Sequence, residues 1–227
     1  IANSYAIEVA NTVYKNLTAY GIPALGVNAS GLSEYMSNHP KGIAVITRGC
    51  LPDTTQSGCN DATQAETWLE GGGTIIFVGY FPFYEICSSG SGCVGTACGT
   101  NFHMNVFDLS GSTNLFITSS HYETITHAGS LYMPSSVNYT SSYPANLTIL
   151  EDNSRSFEIY GYNSTDDVAE PLLIKVGGNT ISDGNFIAVN LSAISTTQDA
   201  QRTGMMIAEL IKNHIYELSL IHISEPT

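Results

Sequence analysis

Apolar positions recur at steps of three and four over residues 2 to 20. Ala6, Val9, Ala10, Val13, Leu17 and Tyr20 share one face and Gly21 follows, so the period predicts an amphipathic helix. "IPALGVN" (22 to 28) reads as a short apolar strand, and "SGLSEYMSN" as a brief helix turned inward on Leu32, Tyr35 and Met36. "GIAVIT" (42 to 47) and "TIIFVG" (74 to 79) are unbroken apolar runs, the pattern of strands buried on both faces. Between them Asp61 and Gln64 have capping-box spacing at the head of a helix over 62 to 70. Ala62, Ala65, Trp68 and Leu69 form its inner stripe, and Gly71 to Gly73 stop it.

Helices alternating with doubly buried strands predict an α/β fold, a doubly wound, mostly parallel sheet with helices on both faces. A helix at residue 2 implies a first strand upstream of it. Over 86–145 the periods dissolve into Ser, Gly, Thr and Tyr, which reads as an irregular insertion with strands at 104 to 109 and 114 to 119. "NLTILED" and "SFEIYGY" then read as a pair of strands. "EPLLIKVGGNTISDGNFIAVNLS" reads as two strands joined by a Gly- and Asn-bearing turn. A closing helix carries Ala200, Ile207, Leu210, Ile211, His214 and Ile215 on one stripe. One domain over residues 1–217 accounts for these elements.

The last ten residues, "LSLIHISEPT" (218–227), stand apart. Codons that spell them resemble the mosaic-end adapter used in transposase-based sequencing libraries, so this tail is expected to be non-native and the chain to be a fragment of an environmental gene.

Charge narrows the partners. Charged residues make up 12% of the 227, and 7 Lys and Arg face 20 Asp and Glu, a formal charge of −13. Phosphate recognition needs cations, which argues against nucleic acid and anionic membrane as partners, and no direct membrane insertion is expected of this fragment. No run of about 18 apolar residues is present either. The polar surface falls to Ser, Thr, Asn and Gly, as in secreted proteins. Six Asn-x-Ser/Thr sequons, at Asn16, Asn28, Asn138, Asn146, Asn163 and Asn190, are candidate glycosylation sites. Cys50 and Cys59 bracket "CLPDTTQSGC", and Cys87, Cys93 and Cys98 lie in "CSSGSGCVGTAC". Both loops are rich in small polar residues and can close small disulfide rings, leaving one of five thiols without a partner in the chain. The location implied is extracellular or cell-surface.

"TWLEGGGTIIFVG", "PLLIKVGGNTISDGNFIAVN" and "THAGSLYMP", in that order, resemble elements of the class I glutamine amidotransferase-like fold in its non-glutaminase branches. The resemblance covers residues 2 to 80 and 168 to 217. Active members carry a Cys in a Gly-x-Cys-x-Gly elbow, completed by a His and a Glu downstream. The matching segment here is Gly79-Tyr80-Phe81-Pro82-Phe83, with bulky rings at the nucleophile position and no His-x-Glu pair after it. The resemblance therefore implies a domain that has lost the triad.

Two constellations remain. Ligands of doubly wound sheets sit beyond the C-terminal strand ends, where Arg48, Asp53, Tyr80, Phe81, Tyr84 and Glu85 offer rings, carboxylates and a guanidinium that can clamp a sugar. The competing reading is that these rings pack under the disulfide loops. "HYETITH" brings His121, Glu123 and His127, with His103 upstream, as a candidate Zn²⁺ set against a reading as hydrogen-bonded imidazoles in a polar loop. No cofactor is called for. The sequence thus predicts a non-catalytic binding or structural module of a secreted or cell-surface glycoprotein, with neighbouring domains, envelope proteins or glycans as partners. The alternative is a carbohydrate-processing enzyme or its accessory domain, metal-dependent if the histidine set is real.

Overall fold

The computed structural model describes residues 3–59, 61–79, 81–88, 92–99, 102–111, 114–176, 184–189 and 194–216, with backbone alone over 92–96. Tyr80, Asn190 and the tail 218–227 lie outside the described residues.

A central five-stranded sheet has the order β1 (Ile43–Ile46), β3 (Thr74–Val78), β13 (Asn185–Val189), β12 (Leu172–Lys175), β9 (Phe157–Ile159). The first three run parallel, and the last two join antiparallel. Two further sheets flank it. The expected doubly wound, mostly parallel sheet is therefore wrong: this is a mixed α/β fold of three sheets. Unbroken apolar runs such as "LLIK" and "NFIAV" report burial on both faces but not direction. Only residues 176 to 184 separate β12 from β13, too few for a crossover, so the two pair antiparallel.

Every residue of β3 is buried. On one face α1 (Asn3–Ala19) and α7 (Thr197–Leu210) cover Ile76, Leu173 and Ile187. On the other, α2 (Ala29–Asn38), α3 (Gln64–Glu70) and the aromatic segment after β3 cover Ile75, Phe77 and Phe186. Beyond α7 the chain continues as a π-helical turn, Ile211–Tyr216, tied to β9 where His214 Nε2 meets the Glu158 carboxylate at 2.8 Å. The predicted stripe of α7 and its extension is buried throughout.

Several local expectations change. Residues 22 to 28 form no strand, and Leu25 is left 81% exposed because no neighbour strand is there to cover it. The capping box of α3 is Thr63 with Glu66, two residues later than Asp61 with Gln64. Residues 102 to 106 are a short helix, α4 (Phe102–Val106), and 114 to 119 hold only the isolated bridge Phe116–Ala145. "NLTILED" is not a strand but α6 (Leu147–Asp152), started by the Asn146 side chain, which accepts from the Thr148 N–H.

The second sheet curls into a half-barrel of antiparallel strands in the order β7 (Tyr139–Ser141), β6 (His121–Ile125), β10 (Gly161–Asn163), β11 (Val168–Ala169), β8 (Ala145–Asn146). It shares a two-stranded ribbon with the central sheet. β9 becomes β10 across Tyr160, and β11 becomes β12 across Glu170 and the cis Pro171. Gly161 is needed at this pivot, because a Cβ there would strike the Glu170 carbonyl oxygen.

The third sheet is β2 (Leu51–Pro52), parallel to β4 (Glu85–Ser88), which pairs antiparallel with β5 (Gly92–Ala97). Two residue pairs cannot hold a parallel strand alone. Disulfides Cys50–Cys87 and Cys59–Cys98 do so, with sequence separations of 37 and 39. They cross-link the two cysteine loops rather than closing a ring within each, which corrects the sequence expectation. Cys93, the fifth, lies on β5, and its side chain is outside the described residues. Two such bridges suit an oxidising, extracytoplasmic compartment. Among the described residues no helix is long and apolar enough to cross a membrane.

Closing a loop of this size removes about 3–4 kcal/mol of unfolded-chain entropy per bridge. The paired substitution Cys50→Ser with Cys87→Ser is expected to lower the unfolding free energy by that amount, measured by urea denaturation. A loss below about 1 kcal/mol would mean that the strands hold without the bridge.

Candidate functional site

The parallel strands β1 and β3 leave the central sheet together. Gly49 turns with φ +77°, and a Cβ on Gly79 would collide with the Gly49 backbone. Directly after these glycines come Cys50 on one strand and the aromatic segment on the other. Phe81 is 9% exposed, its ring 4.7 Å from that of Tyr143 and 6.1 Å from that of Tyr84. Phe83 takes φ +63°, a conformation costing a non-glycine residue about 1–3 kcal/mol. That turn drives its ring into the core, 5.3 Å from Phe186, 5.6 Å from Phe107 and 6.5 Å from Phe77. The crevice beyond the parallel strands is thus filled with rings.

The expected sugar clamp is divided accordingly. Phe81 belongs to the core, and Tyr84 packs against it half-buried. Arg48 and Glu85 are exposed. The Asp53 backbone N–H donates to the Cys87 carbonyl at 2.8 Å, so this aspartate belongs to the stapled sheet.

The four residues of the candidate zinc set are not brought together. His103 is buried against Phe116, and its Nε2 accepts from the Leu115 N–H at 3.0 Å. Burial depresses its pKa to about 4, so it is neutral. His127 is exposed at the start of α5 (His127–Tyr132). His121 and Glu123 do share one face of β6. Among the described residues the one group of three acidic or metal-ligating side chains with converging ligand atoms is Glu66, Glu70 and Asp108, below α3. There burial first, then Asp61, raises Glu66 to about 7.

The inner face of the half-barrel holds polar groups at the other extreme of burial. Glu123 is 0% exposed, and neither carboxyl oxygen has a hydrogen-bond partner. Its cross-strand neighbour on β7 is Tyr139. Glu170 is 1% exposed and accepts from the Ser141 hydroxyl. Ser141 stands on β7, three strands from β11 in the sheet order, so the contact requires the curl of the sheet. The Tyr139 hydroxyl faces Glu170 without a well-formed hydrogen bond. Burial, and then Asp166, raises Glu123 to about 8. Burial raises Glu170 as well, and Glu123 adds to the shift.

At the rim, His121 Nδ1 lies 2.8 Å from the Asp166 carboxylate. A carboxylate only accepts, so Nδ1 carries the proton and Nε2 accepts from the Ser119 hydroxyl. This is the connectivity of nucleophile, base and orienting acid. On the outer face Tyr122, Thr124, Thr126, Tyr162, Asn163 and Thr165 line an open depression of about 490 Å³.

Of the sequons, Asn28 and Asn138 are exposed, each with its side-chain oxygen accepting a backbone N–H. Asn146 is half-buried as the cap of α6. Asn16 and Asn163 donate their amides to the Thr12 and Tyr122 carbonyls. Sequence reasoning missed Glu170, Tyr139, Ser141 and Ser119. One signal was available: Glu170 is a lone charge in the apolar run "VAEPLLI".

His103 makes acid stability testable. Its folded pKa of about 4 lies below the ordinary 6.5. The unfolded chain takes up the proton first, so this contribution is present above 6.5 and lost as pH falls through about 4. His103→Gln keeps an acceptor for Leu115 and cannot be protonated. Between about pH 7 and pH 4 the variant should lose about 3 kcal/mol less stability than the parent chain in urea unfolding; equal losses would refute the assignment.

Comparison with known proteins finds no matching family model, no matching curated protein and no matching solved structure, so the amidotransferase-like resemblance rests on its sequence motifs alone.

Proposed function

We propose that the chain is a non-catalytic binding module of a secreted or cell-surface glycoprotein. The observation that carries this reading is the aromatic plug at the exit of β1 and β3. Phe81 and Phe83 fill the crevice beyond the C-terminal ends of the parallel strands β1 and β3, where ligands of open α/β sheets commonly sit, and the Cys50–Cys87 bridge fixes the two exits beside it. With that crevice filled, ligand contact shifts to the half-barrel. The depression at Tyr122 and Tyr162 presents rings beside hydroxyl and amide groups, and Tyr122 is 58% exposed. Rings flanked by neutral hydrogen-bonding groups suit the faces and hydroxyls of an uncharged glycan, and the net charge of −13 disfavours an anionic one.

The full chain, produced with its disulfides intact, should retain neutral oligosaccharides on a glycan array. Tyr122→Ala should weaken that binding about 5- to 10-fold, the worth of one aromatic contact. Absence of any retained glycan, or a variant that binds as well as the parent, contradicts the reading.

The Ser119–His121–Asp166 array favours a second reading, an esterase acting on acylated carbohydrate. Ser119 would attack the acyl carbon while His121 takes its proton and later returns it to the leaving alcohol; water then releases the acid. A fluorophosphonate probe tests it. Labelling of the native chain that disappears in Ser119→Ala and His121→Ala supports the enzyme, and an unlabelled native chain rules it out.

A further inference from the structure

The inner face of the half-barrel poses a problem of charge. Glu123 and Glu170 are both buried, and the charge of Asp166 acts on Glu123 as that of Glu123 acts on Glu170. Glu123 has two carboxyl oxygens without a partner at 0% exposure, and the Tyr139 hydroxyl beside them lacks a well-formed bond. Orphaned buried oxygens are costly, and here both belong to Glu123 on β6, opposite Tyr139 on β7. All the groups at this point are oxygens: two carboxyls, a phenol and the Ser141 hydroxyl. At the rim, Asp166 adds a carboxylate that is 46% exposed and already paired with His121.

We propose that Glu123 and Glu170, with Tyr139 and Ser141, bind a hard divalent cation, Ca²⁺ in an extracellular setting, inside the half-barrel. An all-oxygen donor set without thiol or imidazole in its interior selects Ca²⁺ over Zn²⁺. The ion satisfies the two orphan oxygens of Glu123 and supplies the positive charge that two ionised carboxyls need at this depth. It also bridges β6 of the half-barrel to the β11–β12 pivot, where Glu170 stands. Asp166, in the turn between β10 and β11 and beside His121 of β6, supplies a negative entrance. The site differs from the cluster at Glu66, Glu70 and Asp108, where Glu70 and Asp108 are exposed and the buried Glu66 is already engaged as the capping-box acceptor from Thr63.

The experiment is calcium titration of the chelator-treated full chain by isothermal calorimetry. One site is expected, with Kd on the order of 10⁻⁴–10⁻³ M, as in extracellular modules. Saturating Ca²⁺ should raise the melting temperature by about 3–5 °C. Glu123→Gln and Glu170→Gln should each weaken binding at least about 10-fold, while Glu70→Gln leaves it unchanged. As a second measurement, Tb³⁺ luminescence excited through tyrosine should appear in the parent chain and fade in Tyr139→Phe, a change that preserves packing if either glutamine variant fails to fold. Absence of heat and of Tb³⁺ emission in the parent overturns the proposal. So does binding that survives both glutamine substitutions, or that is lost with Glu70.

Discussion

The close approach of Gly49 and Gly79 is the constraint from which the rest of the central region follows. Two parallel strands, each entirely or alternately buried, end side by side with no side chain between them. Neither exit can spread, so each chain must turn at once. On the β1 side the turn delivers Cys50 into its bridge with Cys87, and on the β3 side it delivers Phe81 and Phe83 over the sheet. The left-handed backbone at Phe83 is the cost of bringing a ring back into the core, and burial among three other phenylalanines offsets it. A strained residue at this point of a sheet is often a nucleophile. Here the strained residue is a core anchor.

The second organising element is the ribbon that passes from one sheet to the other. Tyr160–Gly161 going out and Glu170–Pro171 coming back are hydrogen-bonded to each other, with the Glu170 N–H donating to the Gly161 carbonyl at 3.0 Å. Because the two crossings lie side by side, any force on the half-barrel is felt at the edge of the central sheet. Glu170 is part of that crossing, and its carboxyl reaches across the curled sheet to Ser141. The polar interior of the half-barrel is therefore coupled to the apolar core by covalent continuity, whatever occupies the space between the carboxyls.

What was legible in the sequence was burial. The stripe of α7, that of α1 apart from the exposed Ala10, and the runs of β1, β3, β12 and β13 are where apolar periodicity places them, because the hydrophobic effect acts on each residue according to its own side chain. Direction and partner were not legible. Whether β12 runs with or against β13 depends on a connection length and on pairing across the chain, and neither leaves a mark in local composition. "NLTILED" has Leu147, Ile149 and Leu150 buried, a spacing that fits a strand for the first two and a helix for the set; the Asn146 cap decided it. The disulfide pairing was hidden for the same reason, since it reports which loops meet. Of the candidate site, His121 and Glu123 were legible as neighbours on one strand face. Tyr139 and Ser141 were not, because which strand pairs with β6 leaves no mark in local composition, and Glu170 was not, because it meets Ser141 only through the curl of the sheet.

The division between the two sheets also bears on where selection for function can act. The central sheet is apolar on both faces except at Thr74 and Asn185, which bond each other, and at the Glu158–Lys175 edge, and its strand ends are closed by rings and a bridge. The half-barrel holds the opposite arrangement. Replacing Glu123 with an apolar residue of similar volume would remove a buried carboxyl without partners and stabilise an isolated chain. A fold selected for stability alone does not keep two acids, a phenol and a hydroxyl in a buried interior when its own central sheet shows how such an interior can be filled with apolar side chains. The surface offers the same contrast: Tyr122 stands exposed on β6 one residue away from the buried Glu123, so a single strand presents a contact face outward and an acid inward. Function in this molecule is thus sought on β6 and its neighbours, where the chain departs from the arrangement that stabilises it best.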